Sequence, residues 1–258
     1  MGPLTEVAHE AAIAGDLSLA LDPVRLAERV GITPDPWQAE VLRSGAPRAL
    51  LNCSRQSGKS TVTAIMALHA ALYEPGALVL VLAPAQRQSV ELYRKLRAAY
   101  GALGITVPPS AESALRLELA NGSRIVALPG KEATIRGFSG VRLLIVDEAA
   151  RVSGDLYLAI RPMLAVSGGR LIALSTPYGN RGWWYEAWRS TEPWSRVEVP
   201  ATACPRIPAA FLEEERRNMG PWHFEQEYLC MFADAESQAF RRDDIERAFT
   251  KELEQWDV

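Results

Sequence analysis

The sequence contains few of the residues from which disulfide frameworks and metal sites are built. Its 258 residues include three cysteines, Cys53, Cys204 and Cys230, and three histidines. The cysteines are too few and too scattered for a disulfide framework or a zinc site, and the histidines show no ligand spacing. We therefore expect a reducing, intracellular setting and no metal held by protein side chains alone.

Excess positive charge and long apolar runs are also missing. There are 28 Lys and Arg residues against 31 Asp and Glu, so the formal net charge is −3. A protein that coats nucleic acid over its whole surface is usually basic, so any nucleic-acid contact here must be a local patch. No apolar run approaches the ~18 residues of a membrane span. The N-terminus lacks the charged and apolar regions of a signal peptide. We expect no membrane partner.

What the sequence does contain is an alternation of short apolar strands and longer helical segments. The runs RALLNC, ALVLVLA, VRLLIVDEAA and RLIALSTP predict four buried strands. Residues 59–73 and 86–100 predict the helices between the first strands. Near-continuous apolar strands are typical of a parallel sheet covered on both faces. Alternation on either side of Asn121-Gly122 predicts a hairpin. The fold class is therefore α/β, a mostly parallel sheet flanked by helices with an antiparallel addition.

The composition predicts three regions along the chain. Residues 1–36 form an N-terminal helical extension and residues 37–199 the α/β core. After about Pro200 the sequence becomes helical and charged, interrupted at Gly220-Pro221. Residues 200–258 are therefore expected to form a small helical lid on the core and the start of a linker.

The segment NCSRQSGKST ends like a phosphate-binding P-loop but begins differently. The pattern G-x-x-x-x-G-K-[ST] would place a glycine where Cys53 stands. A loop between a strand and a helix can hold phosphates on backbone N–H groups and on the positive helix end. Lys59 would reach the β- and γ-phosphates, and the Ser60 hydroxyl would hold Mg²⁺. The predicted nucleotide-binding loop comprises Ser54, Arg55, Gln56, Ser57, Gly58, Lys59, Ser60 and Thr61.

Two carboxylates, Asp147 and Glu148, end the apolar run LLIVDE. Parallel sheets place their sites at the carboxyl ends of strands. In P-loop enzymes such an aspartate helps to hold Mg²⁺, and a following glutamate can act as general base toward the attacking water. Solvated acids at a strand end are the alternative, and the upstream loop favours the catalytic pair.

Two weaker signals accompany these motifs. The amide of Gln38 can hydrogen-bond the adenine edge, and Trp37 can stack on a base or simply anchor its helix. The alternative is an exposed glutamine beside a core tryptophan. Ser175 and Thr176 end the fourth strand, where hydroxyl groups can contact the γ-phosphate, its water or Glu148. Spacing alone supports a strand-terminating turn equally well.

A basic cluster, Arg94, Lys95 and Arg97, falls within one helical turn. Such a cluster can contact DNA phosphates without reading sequence. The alternative is a solvated helix face.

Taken together, the motifs resemble the large terminase subunits of tailed bacteriophages. The segments occur in that family's order: PWQ, SRQSGKST, LAPAQRQS, TIRGFSG, LLIVDEAA, LIALSTP and EQEYLCMF. In that family R-Q-x-G-K-[ST] replaces the glycine-first loop, so Cys53 is not a defect. The resemblance runs from about Trp37 to Phe232. It implies a P-loop NTPase core of the RecA-like (ASCE) class that uses ATP and Mg²⁺ to drive double-stranded DNA into a procapsid.

The resemblance also implies partners and a location. The partners are double-stranded DNA, the portal protein and procapsid, the small terminase subunit, and further copies of the chain in a ring of five. The place of action is the cytoplasm of the infected bacterial host, with assembly on the procapsid. Related large subunits carry a ribonuclease-H-like nuclease domain after the ATPase. This chain ends near where that domain would begin, so we expect an isolated ATPase domain without nuclease activity.

Within this family an Arg-Gly precedes the acidic strand, which draws attention to Arg136. An arginine supplied by a neighbouring subunit could neutralise transition-state charge. Arg142 is the second candidate, and a structural salt bridge is the alternative role. Arg55 could contact phosphate within its own subunit or couple the loop to other elements.

Two other functions remain open on the sequence. One is a helicase-like nucleic-acid translocase, which needs a second core for which about 80 residues after Pro177 are too few. The other is a nucleotide-binding structural module that does not hydrolyse, against which the intact Lys59 and Glu148 argue.

Overall fold

The computed structural model describes residues 13–104, 107–129, 135 and 137–232. The strands are β1 (Arg48–Cys53), β2 (Leu78–Ala83), β3 (Pro109–Ser113), β4 (Arg116–Leu119), β5 (Arg124–Pro129), β6 (Val141–Asp147), β7 (Arg170–Ser175) and β8 (Ser195–Val199). The helices are α1 (13–21), α2 (Pro23–Arg29), α3 (Pro36–Arg43), α4 (Lys59–Tyr73), α5 (Gln86–Ala102), α6 (Gly154–Ile160), α7 (Gly182–Arg189), α8 (Ala209–Asn218) and α9 (Pro221–Tyr228).

All eight strands form one sheet in the order β3-β4-β5-β2-β6-β7-β1-β8. The pairs among β5, β2, β6, β7, β1 and β8 are parallel, whereas β4 pairs antiparallel with β5 and β3 pairs antiparallel with β4. The prediction of a mostly parallel sheet with an antiparallel addition is confirmed. Gly122 turns the β4–β5 hairpin with a φ of 83°, which glycine adopts without a steric cost.

Helices cover both faces of the sheet. Alternate residues of β1 point to opposite faces, so Leu51 packs beneath α2 to α5 and Leu50 packs toward α6 and α7. The two buried faces explain why the central strands are apolar almost throughout. The N-terminal helices join the main core, since Leu26 and Ala27 of α2 are fully buried in it.

The elements that the sequence patterns missed are short or lie at the sheet's edges. Every residue of β3 is exposed, so PSAES carries no apolar alternation. β8 is the opposite edge and is buried fully only at Val199. The helices α6 and α7 have seven and eight residues, too short for their period to stand out against the neighbouring turns.

We call residues 200–232 the lid segment, because they carry the two helices predicted for the lid. The predicted interruption at Gly220-Pro221 separates α8 from α9. Leu212, Phe224 and Tyr228 form a small apolar cluster apart from the main core. The remaining residues of the predicted lid and linker, 233–258, lie outside the described residues. In the part of the chain that the structure describes, no helix has the length and apolarity to cross a membrane.

The strand order decides where the predicted site residues meet. β7 lies between β1 and β6, and all three run parallel. In register, Asn52 of β1 is opposite Ser175 of β7, and Asp147 of β6 is opposite Leu174. The carboxyl ends of these strands therefore form one edge, from which the P-loop, the acidic pair and the Ser175-Thr176 turn all emerge.

Candidate active site

The loop between β1 and α4 turns sharply and opens directly into a helix of 15 residues. Gly58 is the N-cap of α4 with a φ of 93°, and Gln56 also has a positive φ of 60°. The Ser57 hydroxyl closes the bend by donating to the Ser54 carbonyl at 2.9 Å. The loop thus leaves the first amides of α4, which have no partner within the helix, available to an anion.

Lys59 joins the three strand ends. Its Nζ lies 3.5 Å from Oε1 of Glu148 and donates to Oγ1 of Thr176 at 3.3 Å. The lysine is nearly buried, so its charge interacts strongly with whatever anion faces it. Residues from three separate sequence motifs therefore meet at a single ammonium group.

In the acidic pair Asp147 is buried, whereas Glu148 is partly exposed. Burial raises the pKa of Asp147 to about 6, with the charge of Glu148 acting in the same direction and that of Lys59 opposing both. Glu148 stands in the left-handed region, with a φ of 50°, and its amide donates to Oδ1 of Asp147 at 3.0 Å. Left-handed backbone is uncommon for a residue other than glycine and is concentrated at functional sites.

A cavity of about 740 Å³ opens over the loop. It is lined by most of the predicted nucleotide-site residues, namely Arg55, Gln56, Gly58, Lys59, Ser60, Thr61, Glu148 and Thr176. Ser54 and Ser57 are fully buried beneath the loop and support it from below. A cavity of this size, floored by a helix start and a buried lysine, suits a phosphorylated ligand.

The residues present also fit a magnesium ion. Ser60 and Asp147 line a neighbouring cavity of about 490 Å³, which shares Ser60 and Glu148 with the first. Carboxylate and hydroxyl oxygens are the donors that Mg²⁺ prefers. A cation would also offset the cost of burying the charged form of Asp147.

The Ser175-Thr176 turn contacts both neighbouring motifs. Oγ of Ser175 accepts a hydrogen bond from the amide of Ala150, just after the acidic pair, at 3.2 Å. The same hydroxyl donates to the Thr176 carbonyl at 2.7 Å, and the Thr176 hydroxyl accepts from Lys59. The segment is a strand-terminating turn that also links the lysine to the acidic strand.

Residues 50–247 match the family model described as "Terminase large subunit, T4likevirus-type, N-terminal". This chain belongs to that family. It is 29% identical over 223 residues to the terminase large subunit of Escherichia phage T5, and the match covers 81% of this chain and 50% of the phage T5 protein. The chain spans about half the length of the curated relatives it matches.

Solved terminases have the same fold. The ATPase domain of the Thermus phage P74-26 large terminase matches with a TM-score of 0.70 and 23% identity, over 80% of this chain and 97% of that one. The large terminase of a thermophilic bacteriophage, in complex with ADP, matches with a TM-score of 0.63 and 14% identity, over 77% and 53% of the two chains. At such identities the likeness concerns the fold.

In this terminase chain Trp37 and Gln38 do not line the cavity. Gln38 is 2% exposed, so the alternative of an exposed glutamine is wrong. Its Oε1 accepts a hydrogen bond from the Asp35 amide at 2.8 Å, as part of the capping box of α3. The oxygen needed for a bidentate adenine contact is therefore engaged. Trp37 packs against the main core as an anchor of its helix. The adenine contact stays a prediction.

Arg55 reaches toward the lid segment. Its guanidinium forms an ion pair with the carboxylate of Glu227 on α9, and its amide donates to the Glu227 carbonyl at 3.0 Å. The next residue toward the N-terminus of α9, Gln226, accepts a hydrogen bond from the Gly179 amide at 3.2 Å. α9 therefore contacts both the P-loop and the loop that follows β7, which favours the coupling role for Arg55.

Of the two arginine-finger candidates, Arg142 is the one that lies among the described residues. Arg136 lies outside the described residues. Arg142 forms an ion pair with Glu74, just after α4, and its side chain is 46% exposed. For Arg142 the structure thus provides the salt bridge that was the alternative role.

The basic cluster does not form one free face. Arg94 pairs with Glu91 at 2.7 Å, and Arg97 pairs with Glu112 on the edge strand β3. Lys95 lines both cavities of the candidate active site. DNA contact by these residues stays a prediction. Lys95 also faces the cavities in which nucleotide phosphates would bind.

Two further arginines at the site were not among the predicted residues. Arg151 lies with its Nε 4.0 Å from Oε2 of Glu148, and its guanidinium stacks 4.2 Å from the ring centre of Tyr178. Its place one helical turn after Glu148 is a signal that the sequence did contain. Arg206, from the lid segment, contacts the P-loop from outside, and nothing in its local sequence indicates this.

Proposed function

We propose that this chain is the ATP-hydrolysing motor domain of a viral DNA-packaging terminase, which drives double-stranded DNA into a procapsid. The observation that carries the proposal is the position of Lys59, whose ammonium group faces Glu148 and Thr176 at the floor of a cavity built by a P-loop. Family membership supports the biological setting, and the likeness to a terminase solved with ADP supports a nucleotide as ligand.

Substrate binding exchanges partners at Lys59. The ammonium group is paired with Glu148. The β- and γ-phosphates of ATP carry more negative charge than one carboxylate and are also met by the free amides of α4. Lys59 therefore turns to the phosphates, and Glu148 is released to accept a proton from the attacking water.

Ser60 and Asp147 would hold Mg²⁺ beside the phosphates. Bound there, the ion would supply positive charge that offsets the negative charge of the phosphates. The Thr176 hydroxyl stays within hydrogen-bonding distance of Lys59. A change in the anion that Lys59 holds therefore shifts the turn after β7. The hydrogen bond between Gly179 and Gln226 passes a shift of that turn to α9.

We assign the remaining functions by family. Residues 13–36 are a helical extension, residues 37–199 the ATPase core, and residues 200–232 the lid. Arg136 acts as an arginine finger between neighbouring copies in a ring of five mounted on the portal, with the small terminase subunit and double-stranded DNA as further partners. The site of action is the infected host's cytoplasm, on the procapsid. The helicase-like alternative is not favoured, because the matching family model and the curated relatives are terminase large subunits.

A steady-state ATPase assay tests the proposal. The wild-type chain is expected to hydrolyse ATP with Mg²⁺ present, and Lys59→Ala is expected to lose both tight nucleotide binding and turnover. Glu186→Gln, which changes an exposed carboxylate on α7, serves as the matched control. A wild-type chain that binds ATP but never hydrolyses it, at any protein concentration, would instead support a structural nucleotide-binding module.

Arg136→Ala tests the finger. Turnover should fall by about 10³-fold or more while nucleotide affinity stays close to wild type. Mixing Arg136→Ala with Glu148→Gln chains should restore part of the activity, because each supplies what the other lacks at a shared interface. Equal losses of affinity and rate, or no recovery on mixing, would contradict a role between subunits.

A further inference from the structure

The lid segment touches the P-loop at a second point, through Arg206. This residue lies in the turn between Ala201–Ala203 and α8. Its Nη2 donates to the carbonyl of Ser57 at 2.7 Å. Its Nη1 donates to Oδ1 of Asp35 at 3.2 Å, and Nη2 lies 2.9 Å from the other carboxylate oxygen. One guanidinium thus joins the lid segment, the start of α3 and the P-loop.

The contact fixes one peptide plane of the loop. In a planar trans peptide the C=O and the N–H point to opposite sides. Because Arg206 holds the Ser57 carbonyl, the Gly58 amide points away from Arg206. Among the described residues nothing accepts a hydrogen bond from that amide, and Gly58 lines the large cavity. The amide is therefore a free donor whose direction is set by an arginine on the far side of the loop.

The packing around Gly58 leaves this peptide little freedom. A Cβ built on Gly58 would lie 2.6 Å from Nε2 of Gln38 and 2.8 Å from Nη2 of Arg206. On the other side of the same peptide, the Ser57 hydroxyl is engaged with Ser54. Asp35, which receives the guanidinium, also donates its amide to Gln38. The side chains of Asp35, Gln38, Ser57 and Arg206 together hold the outer surface of the loop in place.

We propose that Arg206 is a positioning residue of the phosphate site, which orients the Ser57–Gly58 peptide so that the Gly58 amide donates to a phosphate oxygen. The inference rests on the proposed function, because it concerns the same nucleotide site. Arg206 itself never touches the substrate. Its effect is on how tightly any triphosphate is held, whatever base the triphosphate carries.

The test uses the chain with Arg206→Gln, Arg206→Lys and, as matched control, Arg217→Gln, which changes an exposed arginine on α8. Dissociation constants are measured by calorimetry for Mg-ATP and for magnesium tripolyphosphate. Arg206→Gln should raise both constants by about tenfold, the loss expected when one hydrogen bond to a charged group is misaligned. The value of kcat at saturating ATP should stay within about twofold of wild type, since loss of an amide that binds the ground state and the transition state equally changes KM alone. Arg206→Lys should recover part of the affinity, because lysine keeps a charged hydrogen-bond donor but lacks the forked N–H groups of a guanidinium.

Two results would overturn the proposal. The first is unchanged dissociation constants in Arg206→Gln; if its melting temperature falls while that of Arg217→Gln does not, the contact is purely structural. The second is a loss of affinity confined to ATP with tripolyphosphate unaffected, which would place the action on the base through Gln38. If Arg206→Gln does not fold, Arg206→Lys carries the same comparison. A wild-type chain that binds neither ligand would refute the proposed function instead.

Discussion

Replacing Glu148 by glutamine should move nucleotide affinity and turnover in opposite directions. Glu148→Gln keeps the shape of the side chain but removes its charge and its ability to take a proton. That charge lies 3.5 Å from Nζ of Lys59. At an effective dielectric constant near 20, two unit charges at this distance attract by about 5 kcal/mol before solvation is counted.

The net effect is smaller, because desolvation and residual exposure cancel most of the attraction. Glu148 keeps 21% of its side chain exposed, and Lys59 keeps 11%. We take about 1 kcal/mol as the net preference of Lys59 for Glu148, the upper part of the range for partly exposed pairs. ATP must break this pair, so the variant should bind ATP about fivefold more tightly. Loss of the general base should lower kcat by about 10²–10⁴-fold.

The assay pairs fluorescent-nucleotide titration with steady-state hydrolysis on the same preparation. Glu186→Gln is the control for removing a carboxylate, because it lies on the exposed face of α7 and should leave both quantities unchanged. Weaker ATP binding in Glu148→Gln would refute the idea that Glu148 competes with phosphate for Lys59. An unchanged kcat would refute its role as general base.

Three other changes probe the rest of the site. Lys95→Ala should weaken Mg-ATP binding several-fold because Lys95 lines the cavities, whereas Arg94→Ala should not. If both variants weaken DNA binding equally and neither changes ATP binding, Lys95 belongs to the DNA-contacting cluster instead. Asp147→Asn should abolish the Mg²⁺ dependence of nucleotide affinity, measured with and without chelator, and a variant that still responds to Mg²⁺ would show that the ion is held elsewhere. Gly58→Ala should destabilise the fold by about 1–3 kcal/mol in chemical denaturation, because its φ of 93° strains any side chain, and an unchanged midpoint would show that the loop can relax.

Much of the fold could be predicted because its central strands are buried on both faces. β1 and α4 begin and end at the residues that their sequence patterns predicted, Arg48–Cys53 and Lys59–Tyr73. The apolar run of β1 and the Gly58-Lys59 junction mark sharp physical boundaries, from a dry strand to a loop that must turn back. β3 has no such boundary, since all its residues face solvent and its place in the sheet depends on pairing with β4.

The meeting of the predicted site residues at one edge was predictable for the same reason that the strands were. Lys59 and Thr176 each follow a buried parallel strand and Asp147 ends one, and parallel strands bring their carboxyl ends to one edge whatever the sequence distance between them. The strand order added one fact that spacing does not contain. β7 separates the lysine strand from the acidic strand, so the hydroxyl of Thr176 stands between them and accepts from Lys59 directly.

Contacts made by long side chains across the fold could not be predicted in this way. Gln38 has the sequence position of a base-reading residue, but its amide oxygen caps α3 and its amide nitrogen packs over Gly58. Arg206 is separated from Ser57 by 149 positions and approaches it from a turn with no regular structure. A guanidinium selects its partners by the orphaned carbonyls and carboxylates within its reach, and these exist only once the loop has folded. Residues that hold a phosphate loop from outside are therefore identified by their hydrogen bonds to its carbonyl groups. Residues that face the ligand are identified by their position beside its free amide groups.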